Sequence, residues 1–245
     1  MSEVSFVITS YNYSKYIEEC LESIINQDKF DSNKIIIIDD GSTDETYIKI
    51  KRYLSMPCID FIQIENSGVE VASNLAIDQI NTNYFTRVDA DDSLKSNFLS
   101  IFNDTIDVYN NSDFIYSNYS VIDESSIFVK EVNLPEFSNQ EIFQRGDFLA
   151  TGTIYKKDSF NLVGKYDTNV KNCGLENYSL ILRLITNNFS GRMLPYSLFN
   201  YRIHSGNMSK KRRKSIIEFG NELTRNLLNR PYEVNFNHPY GLKLD

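Results

Sequence analysis

A chain of 245 residues with 41% hydrophobic and 13% aromatic content can bury a full core, which excludes wholesale disorder. Its formal charge of −8 at pH 7 argues against a general nucleic-acid binder, because such proteins meet phosphates with net positive charge. Three scattered cysteines, Cys20, Cys58 and Cys173, fit reduced thiols in the cytoplasm better than a disulfide frame or a zinc site.

The N-terminal segment MSEVSFVITSYN enters a strand pattern directly, and no basic region followed by an apolar one marks a leader. No run of about 18 apolar residues occurs, so nothing reads as a membrane span and a cytoplasmic protein is expected.

VSFVIT (4–9) reads as a buried strand. KYIEECLESIINQ (15–27) then sets Ile17, Cys20, Leu21, Ile24 and Ile25 on one helical face. KIIIID (34–39) is continuously apolar and β-branched, as in a central strand covered on both sides. In DDGSTDE, Ser42 and Glu45 have capping-box spacing for the next helix. IDFIQI (59–64) is a third strand, Val69, Ala72, Ala76 and Ile80 mark a further helix, and NYFTRV (83–88) is a fourth strand.

Strands alternating with helices through short links predict an α/β fold, a mostly parallel central sheet with helices on both faces. Beyond residue 110 the pattern loosens. Strands are expected over 113–122, 126–132, 151–157 and 198–209, a short helix within 133–150, and a helix over 175–188. KKRRKSIIEFGNELTRNLLNR (210–230) reads as a basic amphipathic helix after a domain over 1–209, itself divided near residue 110. That helix can rest on an anionic membrane surface at the inner face of a membrane, contact a lipid-diphosphate acceptor, or simply present a solvated charged end.

In parallel sheets, ligands bind beyond the carboxyl ends of the strands. Three polar motifs fall there: TSYN (9–12), DDGSTD (39–44) and DADD (89–92). Asp89 and Asp91 can converge on a hard divalent cation such as Mn²⁺ or Mg²⁺ through oxygen ligands, which also offsets their mutual repulsion. Asp92 or Ser93 is expected to cap a helix starting near Lys95. Asp39 and Asp40 read equally as turn formers or as acceptors for a base N–H. No glycine-rich phosphate loop of the dinucleotide or ATPase type is present.

These motifs add up to a resemblance. VSFVITSYNYSKYIEECLESIINQ, IIIIDDGSTDET, NSGVEVASNLAI and RVDADD stand in the order and spacing of the family 2 inverting glycosyltransferases, which have the glycosyltransferase-A fold. GTIYKKDSFNLVGKYD, LENYSLILRL and YRIHSGNMS resemble that family's later segments, so the likeness runs over about 3–209 and is weak across 110–150.

The resemblance implies a nucleotide-diphosphate sugar donor, UDP-linked for preference, and a saccharide or lipid-linked acceptor of the kind used in bacterial surface polysaccharide or glycolipid assembly. Thr9, Tyr11 and Asp39, with Asp40 and Asn66, would surround the nucleoside, and Asp89 would sit near the ribose. Asp91 would hold the cation with Asp89 and His204, and Arg202 would meet the diphosphate.

Two positions depart from the family pattern. Where the family has a carboxylate base after the Glu of its catalytic helix, this chain has Asn177, so Glu176 is the nearest carboxylate and Asp167 a second candidate. Ser73 stands where the family often has a cation. A silent nucleotide-sugar-binding protein of the same fold is the alternative that Asn177 keeps open.

Overall fold

A computed structural model describes residues 4–30, 33–109, 111–145 and 151–233. Strands β1 (Val4–Ser10), β2 (Ile35–Asp39), β3 (Ile59–Gln63) and β4 (Tyr84–Asp89) lie parallel in the order β3-β2-β1-β4. Every residue of β1 and β2 is buried, which explains their unbroken β-branched and apolar runs: both faces are covered. Helices α1 (Ile17–Ile25), α2 (Thr46–Lys51) and α3 (Val69–Gln79) connect these strands. α1 buries Ile17, Cys20, Leu21 and Ile24, four of the five residues on its expected apolar face.

Beyond β4 the sheet becomes mixed. A two-residue strand β5 (Ser93–Leu94) precedes helix α4 (Phe98–Thr105), followed by β6 (Phe114–Asp123), β7 (Phe128–Val132) and helix α5 (Asn139–Arg145). Strand β8 (Ile154–Lys156) runs antiparallel to both β4 and β6 and joins the two halves of the sheet. Helices α6 (Lys157–Leu162) and α7 (Glu176–Thr186) lead to β9 (Gly191–Ile203), which pairs parallel with β6 and antiparallel with β5.

That last pairing positions the site. Ser93 lies opposite Asn200, so the 89–92 loop is held against the end of β9. Thr9 sits opposite Asp89 and Ser10 opposite Asp39, so the carboxyl ends of β1, β2 and β4 form one edge.

Local expectations fail where tertiary partners outbid them. The Ser42/Glu45 capping box does not form. Ser42 Oγ instead accepts the Asn12 N–H at 2.9 Å, and Asp44 Oδ1 accepts the Thr46 N–H at 2.9 Å. Asp92 and Ser93 cap nothing: Ser93 is in β5, α4 starts at Phe98, and Asp92 Oδ1 accepts the backbone N–H of Arg202 at 2.8 Å. The strand expected over 151–157 shrinks to three residues because Lys157–Leu162 is helical. β9 starts at Gly191, earlier than expected, in register with the start of β6.

The C-terminal segment divides at Arg212 into α8 (Met208–Lys211) and α9 (Arg213–Leu228). Ile216, Gly220 and Thr224 are buried, while Ile217, Phe219, Leu223 and Leu228 pack on the core. Gly220 lies so close to Tyr232 that an added Cβ would stand 2.5 Å from its ring. The apolar face that a membrane would need is therefore turned inward, with Leu227 the exposed apolar residue of this helix.

Candidate active site

A cavity of about 460 Å³ opens at the carboxyl edge of the sheet. Thr9, Tyr11, Asp40 and Asn66 line it on the β1–β2 side, and Arg87, Asp89, Asp91 and Asp92 line it from β4 and the loop after it. Glu176 and Asn177 enter from the start of α7, and Lys211 and Arg212 from the C-terminal segment. Acidic groups from one part of the chain thus share a cavity with basic groups from another.

The three aspartates have separate partners. Asp89 Oδ1 lies 3.3 Å from Arg87 Nε. Asp91 Oδ2 lies 2.9 Å from His204 Nε2. His204 Nδ1 accepts the Gly206 N–H at 3.0 Å, so the neutral ring carries its proton on Nε2 and donates to Asp91. Asp92 is held by Arg202, as above.

Burial raises the carboxyl of Asp89 above the usual carboxylate range. Arg87 opposes this shift, and the charge on Asp91 adds to it. Burial, then the charges on Asp91 and Asp89, push Asp92 well above that range. The protein alone leaves part of the repulsion unanswered, and a divalent cation against Asp91 would offset it. The carboxylate of Asp91 fits such an ion, whereas His204, with both ring nitrogens engaged by Asp91 and the Gly206 N–H, orients that carboxylate from behind and is not the expected ligand. Asp89 is not gathered with them. Among the described residues, the His/Cys/Asp/Glu trio whose ligand atoms lie within 4.8 Å of one another is Glu70, Cys173 and Glu176.

The raised carboxyls set a pH signature. A carboxyl whose folded pKa is raised contributes stability that is full below its unfolded value of about 3.9 and lost as pH rises through the folded value. A cation beside Asp91 gains attraction when these two neighbouring carboxyls are deprotonated. Stabilisation by Mn²⁺, measured as a shift in Tm, is therefore expected to shrink as pH falls from neutral into the acid range. A shift that stays constant on acidification would show that these carboxyls do not face the ion.

Three expected site residues lie outside the cavity lining. Asp39 is fully buried, with Oδ1 accepting the Ser42 N–H at 3.1 Å and Oδ2 accepting from Gln63 Nε2 at 2.9 Å. Arg202 is corrected more firmly. Its guanidinium donates to the Asp91 carbonyl at 2.7 Å and to Ser126 Oγ at 2.8 Å, faces Glu19 at 2.7 Å, and lies over the Tyr16 ring. It braces the acidic loop from behind and is not placed to meet a diphosphate. His204, likewise behind Asp91, is not part of the cavity wall. Asp40 reaches the wall, but its two oxygens accept the Ser67 and Gly68 N–H groups at 2.6 and 2.9 Å, so it shapes the loop.

At the other end, Glu176 is buried and accepts from Arg87 Nη2 at 2.8 Å. Asn177 Oδ1 accepts from the Tyr166 hydroxyl at 3.0 Å. Glu70 accepts the Asn172 and Cys173 N–H groups at 2.8 and 2.7 Å and anchors the loop before α7. Burial, then the Glu176 charge, pushes the Cys173 thiol up, so it stays protonated and inert as a nucleophile.

The sequence model for "Glycosyl transferase family 2" matches residues 5–163. The chain belongs to that family. It is 39% identical over 118 residues to a teichoic acid poly(glycerol phosphate) polymerase of Staphylococcus epidermidis, covering 46% of this chain and 16% of that protein. It is 28% identical over 225 residues to glycosyltransferase GlyA of Streptococcus pneumoniae, covering 85% and 32%. An O-antigen biosynthesis glycosyltransferase of Escherichia coli, WbnJ, is 24% identical over 220 residues, covering 84% and 82%. The chain thus spans well under half of the polymerase and of GlyA.

Among solved structures, S. aureus TarS 1–349 in complex with UDP-GlcNAc superposes with a TM-score of 0.75 at 20% identity, covering 97% of this chain and 69% of that one. Mannosyltransferase PcManGT from Pyrobaculum calidifontis, in complex with GDP-Man and Mn²⁺, gives 0.72 at 15% identity, covering 98% and 67%. These likenesses establish the glycosyltransferase-A fold.

Within this family 2 chain, the basic residues of the cavity wall, Arg87, Lys211 and Arg212, were not among the expected site residues. Arg87 had a local signal. It is a charge inside a buried strand, two residues before Asp89 and hence on the same face. Lys211 and Arg212 belong to the basic segment read as solvated or as meeting a membrane or lipid diphosphate, and nothing in its spacing points to this cavity. Arg212 Nη1 donates to the Asn172 carbonyl at 2.5 Å, which draws this segment onto the loop before α7. Ser73, where a cation was expected to be missing, is fully buried and outside the cavity wall.

Proposed function

We propose that this chain transfers a sugar, with inversion, from a nucleotide-diphosphate donor to a saccharide or lipid-linked acceptor, and that the donor is UDP-linked. One observation carries the reading: the acidic loop after β4 and the basic pair Lys211 and Arg212 line one cavity at the carboxyl edge of the sheet. A nucleoside diphosphate bound with a cation needs both signs of charge in one place. Family membership and the names of the relatives support bacterial surface-polysaccharide synthesis as the setting.

Thr9, Tyr11 and Asn66 would line the nucleoside end. Asp91, with His204 behind it, would hold Mn²⁺ or Mg²⁺, which when bound offsets charge on the departing diphosphate. Lys211 and Arg212 would meet that diphosphate from the opposite side. The acceptor hydroxyl attacks the anomeric carbon, the bond from that carbon to the diphosphate oxygen breaks, and its electron pair leaves with the diphosphate. Glu176 takes the hydroxyl proton. Asn177 cannot serve, because an amide does not accept a proton at neutral pH and its oxygen is already bonded to Tyr166. Direct displacement inverts the anomeric centre.

Screening UDP- and GDP-sugars with Mn²⁺ for thermal stabilisation, then following nucleotide release with acceptor sugars, tests the reading. A bound ligand raises Tm by mass action, so stabilisation by no nucleotide would end it. Asn177 also favours a second reading, a silent binder, which tight UDP binding without turnover would support.

The double substitution Lys211→Ala with Arg212→Ala is expected to weaken UDP binding by about 10- to 100-fold, as lost charge-assisted contacts imply, while uridine binding stays within about 2-fold. Equal losses for both ligands, by calorimetry, would remove these residues from the diphosphate site.

A further inference from the structure

We propose that Arg87 lies beneath the transferred sugar, fixes the position of Glu176 and donates to an oxygen of that sugar. The inference rests on the function proposed above and adds a sugar-contacting residue to it. Arg87 is 5% exposed and bridges two carboxylates of the cavity wall that come from different elements, Asp89 at the end of β4 and Glu176 at the start of α7. Its Nε faces Asp89 at 3.3 Å, its Nη2 donates to Glu176 Oε1 at 2.8 Å, and its plane sits over the Tyr166 ring at 5.4 Å. Only the planar, always-charged fork of arginine can hold both carboxylates at once, and the aromatic face beneath limits its rotation.

The displacement geometry says what lies between those carboxylates. In a direct displacement the leaving diphosphate and the incoming hydroxyl stand on opposite sides of the anomeric carbon. With the diphosphate near Asp89 and Asp91 and the hydroxyl near Glu176, the sugar ring occupies the span that Arg87 crosses. The third guanidinium nitrogen, Nη1, is buried and has no hydrogen-bond partner among the described residues. Buried donors are almost always satisfied, so an orphaned one in a cavity wall calls for a ligand acceptor. A sugar hydroxyl or acyl oxygen has that chemistry. A site built to bond such an oxygen also rejects sugars that lack it.

The test uses the full chain with Mn²⁺, UDP, and whichever UDP-hexose raises Tm most above UDP itself. For Arg87→Gln, UDP affinity is expected to stay within about 3-fold of wild type, while the extra affinity of the UDP-hexose over UDP disappears and nucleotide release falls by about 100-fold or more. For Arg87→Lys, the charge remains but the fork is lost, so part of the binding increment returns while kcat stays low. Glu176→Gln keeps an oxygen for Arg87 Nη2, so the increment is expected to survive with kcat lost.

UDP and UDP-hexose weakened equally in Arg87→Gln and Arg87→Lys would make Arg87 a purely structural brace and overturn the proposal. A wild-type chain that binds UDP but no UDP-hexose more tightly would overturn it as well. Failure of the wild type to bind any nucleotide would instead overturn the function on which it stands.

Discussion

Asp91→Ala is expected to cripple Mn²⁺-dependent nucleotide release, a loss of about 10²- to 10³-fold or more, the range seen when a preorganised charge-stabilising group is removed. Asp91 is the aspartate of the cluster whose side chain both lines the cavity and touches the imidazole of His204. Its removal takes away the oxygen donor of the proposed cation seat and frees His204 from its orienting acceptor. It also relieves repulsion on Asp92, whose raised carboxyl owes its second-largest cause to Asp91. The variant should therefore fold at least as well as the wild type while losing the Mn²⁺-dependent rise in Tm. That opposition separates loss of a ligand from loss of the fold. A variant that keeps its Mn²⁺ shift and its turnover would move the cation seat elsewhere.

Glu176→Gln is expected to lower kcat by about 10²- to 10⁴-fold, the usual worth of general base catalysis, with UDP affinity within about 3-fold. The amide has the same shape, and its oxygen can still accept from Arg87 Nη2, so the substitution tests proton uptake and not packing. Transfer to a true acceptor that survives in Glu176→Gln would refute the assignment. Asp167 would then be a poor substitute, since Oδ1 is occupied by the N–H and side-chain amide of Asn169 at 2.9 and 2.7 Å. Adding a carboxylate with Asn177→Asp in the Glu176→Gln background shows whether position 177 can take over the proton.

Much of the fold was legible because it depends on local periodicity. The runs over 4–9 and 34–39 are apolar without alternation, which only a doubly covered strand explains, and both strands are wholly buried. The α1 face and the α7 helix follow from 3.6-residue spacing. Boundaries were lost where distant partners decide them. The start of β9 depends on its pairing with β6, and the end of the 89–94 segment depends on β9. Neither is visible in a ten-residue window.

The site divides in the same way. Three acidic and polar motifs at strand ends follow from the order of elements, because a parallel sheet presents its strand ends together. By itself, then, the sequence determined the sheet, the edge at which the cavity opens, and the presence of carboxylates there. The roles of individual side chains came only with the tertiary structure. Asp92 serves a backbone amide 110 residues away, and Arg202 braces the Asp91 carbonyl from 111 residues away. Arg87 meets Glu176 across 89 residues, and Lys211 and Arg212 reach the cavity because Arg212 is held by the Asn172 carbonyl. Charged side chains take their partners from whatever the fold brings within about 3 Å, and chain spacing carries no record of that distance. Periodic burial is written along the chain, whereas ion pairing is settled only when its two ends meet.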